Sequence, residues 1–70
     1  MTQVTAEYLR DCVSREAEQY VTDLGLDTDI AFEFTRNLVR ENDLVVKYNQ
    51  LGEDGFGDWV SDKLFEYFGM

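Results

Sequence analysis

Apolar positions recur along this chain at spacings of three and four, with breaks at glycine and aspartate. From about Thr5 to Leu24 the stripe is Ala6, Leu9, Val13, Ala17, Tyr20 and Leu24. That period places them on one face of an amphipathic helix. Thr2 or Thr5 can cap its start, and Gly25 can supply the left-handed residue at its end. A second segment follows, with Asp27 or Thr28 as N-cap. It carries Ile30, Ala31, Phe34 and Leu38 on one face and Phe32 and Val39 as a second strip, which predicts burial on two sides. Asn42-Asp43 reads as a stop and a fresh cap. Leu44, Tyr48 and Leu51 then keep helical spacing, while the β-branched Val45 and Val46 leave a short strand open over 44–48. Gly52-Glu53-Asp54-Gly55 reads as a turn. The last helix, Asp58 to Phe68, places Val60, Leu64, Tyr67 and Phe68 together and ends at Gly69. The expectation is all-α: a compact bundle of three to four short helices forming one acidic domain over residues 1–70.

Composition narrows the chemistry. The chain has 70 residues, no histidine, no proline and one cysteine. Without histidine, a Ser–His–Asp or Cys–His site cannot be built. Cys12 stands alone, which excludes an intrachain disulfide and a thiolate zinc cluster. We expect no enzymatic activity, no cofactor and no metal. Asp27-x-Asp29 and Glu53-Asp54-Gly55 lack the spaced oxygen ligands and terminal glutamate of an EF-hand loop. Asp23 to Asp29 is similar to the carrier-site segment of acyl carrier proteins, L-G-x-D-S-L. Thr28 stands in place of the serine, however, and Asp29 in place of the next apolar residue, so Thr28 is read as a helix cap. No apolar run approaches a membrane span. The early acids Glu7, Asp11 and Glu16 do not suit a signal peptide. The expected compartment is cytoplasmic.

Charge adds the one functional lead. Fifteen acids against six bases give a net charge of −9. That excess disfavours direct binding to nucleic acid or an anionic membrane, and favours a basic partner. The acids are unevenly placed. Four of the six bases fall between Arg15 and Lys47, where Glu33 can pair with Arg36 and Glu41 lies close to Arg40. The 23 residues after Lys47 hold five acids and one base. At 100° per residue, Asp58, Asp62 and Glu66 form a ladder up one side of the last helix, with Asp54 just before it. Lys63 falls on a different side. Glu7, Asp11 and Glu18 share an arc opposite the apolar stripe of the first helix, near a second edge of Glu16 and Asp23. Like charges at i, i+4 cost about 0.2–0.5 kcal/mol per pair.

Such faces are ordinarily solvated surface. A second account treats the carboxylates as stand-ins for nucleic-acid phosphates. In size and acidity the whole chain resembles small phage-encoded DNA-mimic inhibitors, including antirestriction and anti-CRISPR proteins. The resemblance is one of composition and carries no site residue with it. It implies an inhibitor that occupies the basic DNA channel of a CRISPR effector or restriction enzyme in the host cytoplasm. The expected partner surface is Asp54, Asp58, Asp62 and Glu66, supported by Glu7, Asp11 and Glu18. An acidic adaptor, or an immunity-type inhibitor of a basic toxin, is the alternative. There Phe56 and Trp59, beside the acidic turn, would be anchors, unless Trp59 packs on Phe65 or Tyr48. Ten aromatic residues are many to bury in one small unit, so the chain is expected as a monomer or a homodimer, with Phe32 and Val39 facing a symmetry mate.

Overall fold

A computed structural model describes residues 4–69. It is all-α, with three helices in the order α1 (Ala6–Asp23), α2 (Thr28–Glu41) and α3 (Leu44–Phe68), and no strand among the described residues. The segment 44–48, which its β-branched residues left open, is helical.

The helix ends follow from the capping residues. The Thr5 hydroxyl accepts from the Tyr8 amide at 3.1 Å and starts α1; Thr2 lies outside the described residues. At the other end Gly25 sits at φ 76°. The amide of Leu26 donates to the Val21 carbonyl (2.8 Å) and that of Gly25 to the Thr22 carbonyl (3.1 Å). This is a Schellman closure, which needs the left-handed residue glycine supplies. Asp27 precedes α2 as N-cap without a side-chain cap bond. Asn42 and Asp43 turn the chain from α2 to α3. Asn42 donates to the Leu38 carbonyl through both its amide and its side chain, and the Asp43 carboxylate accepts from the amides of Val45 and Val46.

The expected turn at 52–55 shrinks to one residue. Gly52, at φ 78° and ψ 176°, is the single non-helical position within α3. The helix resumes at Glu53, well before the expected start at Asp58. Glu53 and Asp54 therefore occupy the first turn of the resumed arm, where acids are favoured.

α1 is the central helix and packs against both others, while α2 and α3 touch least. The core takes Leu9, Val13, Ala17 and Val21 from α1, Ala31, Phe34 and Leu38 from α2, and Leu44, Phe56, Val60 and Leu64 from α3. Val21, which the expected stripe omitted, is fully buried, whereas Leu24 lies past the helix end and is exposed. Ala17 and Ala31 are small enough for α1 and α2 to approach closely. Buried Thr35 donates to the Ala31 carbonyl at 2.9 Å and so satisfies its hydroxyl within its own helix. The Ser14 hydroxyl adds a long contact to it across the interface, 3.4 Å.

Two aromatic clusters hold α3. At its far end Tyr20 stacks on Phe68 at 5.4 Å, and Phe34 meets the edge of Tyr67 at 5.4 Å. At the bend Tyr48 meets Phe56 at 5.7 Å, Phe56 contacts Trp59 at 5.6 Å, and the Lys47 ammonium lies 5.6 Å from the centre of the Trp59 ring. The second cluster ties together the arms on either side of Gly52. Trp59 thus packs on Phe56 and Lys47 rather than on Phe65. The second strip of α2 is not buried: Phe32 is 50% exposed and Val39 is exposed too.

Candidate functional site

Sequence reasoning proposes an outward acidic face, and its geometry rests on the arm 53–68 of α3. Phe56, Val60 and Leu64 point into the core. At 100° per residue, Asp58, Asp62 and Glu66 then lie on the opposite side of that arm, with Asp54 at one flank. All four are exposed. From Asp54 to Glu66 the helix rises about 18 Å. One strand of a duplex carries about five phosphates over that length, and both strands about ten. Four carboxylates, about 6 Å of rise apart, are therefore sparser than the phosphates of one strand, which recur about every 3.4 Å.

The row is slightly compensated at one end. Lys63 Nζ lies 3.6 Å from Glu66 Oε2, an i, i+3 pair between exposed groups. The expectation that Lys63 leaves the ladder untouched is thus corrected at its last rung. A pair this exposed contributes little to stability. It is the only ion pair among the described residues. The expected Glu33–Arg36 pair does not form, and Arg40 instead donates to the Asn37 side-chain oxygen at 3.0 Å. The charge excess therefore stays largely open to solvent.

On α1, Glu7 and Asp11 are exposed as expected, while Glu18 is half-buried. Its position follows from Ser14, one turn earlier, which faces Thr35 of α2; Glu18 lies toward the same helix–helix seam. Of the three acids expected at the partner surface from α1, Glu7 and Asp11 face outward, as do Glu16 and Asp23 of the same helix. No group of three or more acidic or sulfur side chains among the described residues converges closely enough to hold a metal ion. The acids are spread along surfaces, not gathered in a site. Nor is any helix of the described residues long and apolar enough to cross a membrane.

The feature that sequence reasoning missed is Phe65. It is 62% exposed, the most exposed of the large apolar side chains. Its spacing from Asp58 and Asp62, seven and three residues, puts it on the acidic face itself. Phe56 and Trp59, the expected anchors, are buried and half-buried in the bend cluster. The signal for Phe65 was available in the same wheel that found the ladder: it falls off the Val60/Leu64/Phe68 stripe and onto the ladder side.

No family model matches the chain, no curated protein matches it, and no solved structure matches its fold.

Proposed function

We propose that this protein is an acidic inhibitor that stands in for nucleic-acid phosphates and occupies the basic DNA-binding channel of another protein. The observation that carries the reading is the row Asp54, Asp58, Asp62 and Glu66: exposed, on the outward side of a single helix arm, repeated every four residues, and paired only at Glu66. Glu7 and Asp11 add exposed acids on α1, and Glu18 lies half-buried at its seam with α2. A channel lined with Lys and Arg meets such a surface as it meets DNA. Complex formation releases counterions, so affinity falls steeply with salt. The setting proposed is phage or mobile-element counter-defence in the host cytoplasm, with a CRISPR effector or restriction enzyme as the target.

Phe65 favours a second component in the same contact. An exposed aromatic ring on an acidic face suits an arginine that stacks on the ring while its charge meets a carboxylate. This is the mode of an acidic protein–protein inhibitor of the immunity type. It differs from pure phosphate mimicry in needing Phe65.

Changing Asp58, Asp62 and Glu66 together to Asn, Asn and Gln takes the net charge from −9 to −6. Two like-charge pairs at i, i+4 disappear, so the melting temperature is expected to hold or rise slightly. Binding to the basic partner should fall by at least about tenfold at low salt, and its salt dependence should flatten, because fewer counterions are exchanged. Undiminished inhibition by this variant would remove the ladder from the contact. Loss of inhibition on Phe65→Ala, with the ladder intact, would favour the immunity-type reading.

A further inference from the structure

The bend at Gly52 opens a groove that the acidic ladder does not use. It runs between the first half of α1 and the start of the arm 53–68, with a volume of about 420 Å³, within the range of true binding pockets. Leu9, Val13, Phe56 and Val60 form an apolar floor, and Tyr8, Cys12 and Tyr48 form walls. Gly57 leaves one side open: nothing lies within 4 Å of where its Cβ would be. Among the described residues the charged groups of the lining are both acidic, Glu16 from α1 and Glu53 from the first turn after the bend. The phenol of Tyr8 is held above its usual range, first by the Cys12 side chain beside it and further by the nearby Glu53.

We infer that this groove binds a basic amphipathic segment of the partner protein, which seats one large apolar side chain on the Leu9/Val13/Phe56/Val60 floor and directs Lys or Arg to Glu16 and Glu53. The inference rests on the reading above that the partner is basic, and it names a second contact on a different face of α3. Charge complementarity selects the occupant. An apolar floor whose charged neighbours among the described residues are carboxylates accepts an apolar group flanked by cations. A second copy of this chain is disfavoured, because each copy brings a net charge of −9 to the same place. Burial of one large apolar side chain adds affinity that a merely cationic segment cannot obtain.

The test is an NMR titration of the full chain with two helical peptides of equal length and charge. One carries lysines on one face with leucines and a tryptophan on the other; its control replaces the apolar residues by serine and glutamine. The amphipathic peptide should bind at least about tenfold tighter than the control and shift the amides of Tyr8, Cys12, Val13 and Gly57. Gly57→Leu fills the groove at a helical position with open space, changes no charge, and should reduce the amphipathic peptide to the affinity of its control. Glu16→Gln with Glu53→Gln should weaken the amphipathic peptide while leaving the groove open. Equal affinity of the two peptides for the native chain would overturn the inference, as would full retention of the advantage by both variants. Concentration-dependent shifts at the groove residues without peptide would overturn it in favour of a dimer. Failure here is separable from failure of the acidic-face reading: the Asp58→Asn, Asp62→Asn, Glu66→Gln variant keeps the groove and should keep the advantage of the amphipathic peptide over its control.

Discussion

Phe56→Ala is expected to cost about 3–5 kcal/mol, at least about a third of the stability a chain of this size has. Phe56 is buried, and its ring contacts both Tyr48 and Trp59. It therefore serves two structures at once. It fills the core under α1, and it bridges the two arms of α3. A domain of 70 residues has a total stability of about 3.5–10 kcal/mol. Its small size leaves few other buried side chains to compensate. Removing the ring leaves a cavity at the bend, where relaxation of one arm toward the other is the only available repair. Thermal unfolding followed by circular dichroism should show a fall in melting temperature of at least about 15 °C, or no cooperative transition. A fall of less than about 5 °C would mean that the bend cluster contributes little and that the two arms are held by something else.

The second large effect is expected at Gly52. Its dihedrals, φ 78° and ψ 176°, lie in a region open almost only to glycine. Nothing lies within 4 Å of a Cβ placed there, so any cost of Gly52→Ala comes from the backbone and not from a clash. That cost is about 1–3 kcal/mol. The sign is decided by what the bend does. If Phe56, Trp59 and Tyr48 hold the arms at their angle, alanine must accept the strained conformation, and the melting temperature falls by at least about 5 °C. Were the bend incidental, alanine would be free to complete a straight helix, and its better helix propensity would raise the melting temperature instead. A rise would contradict the fold described above and remove the groove with it.

Much of this architecture was legible in the chain because the signals were local. The apolar stripes set α1 and α2, and Thr5, Gly25, Asp43 and Gly69 mark helix ends through hydrogen bonds with neighbouring residues. Gly52-Glu53-Asp54-Gly55 was misleading because its composition is that of a loop. Only one of the four residues leaves helical geometry, and the two acids instead open the resumed arm. Spacing placed Asp58, Asp62 and Glu66 on one side of the arm, since a helical wheel needs no tertiary information, whereas Asp54 was expected in a turn and joins the arm instead. It did not reveal whether a charge finds a partner. Glu33 and Arg36 share helical spacing without meeting, whereas Lys63 reaches Glu66 across one turn. Glu18 depended on where α2 lies, and a single helix cannot supply that. The exposure of Phe32, Val39 and Phe65 likewise depends on the limited reach of a core built by three helices. The groove was the least legible feature, because it joins Tyr8 and Cys12 to residues more than 35 positions away through the angle at one glycine.

Competition with DNA decides whether a basic protein accepts this surface in place of nucleic acid. Partner proteins captured from host-cell lysate on the immobilised chain at low salt are challenged with excess duplex DNA, and the eluate is compared with that of a buffer wash. DNA is expected to release the captured protein by taking the carboxylates' place in a channel built for phosphates, and moderate salt is expected to release it by reducing the gain from counterion release. Partners that stay bound through excess DNA would contradict that mode of binding.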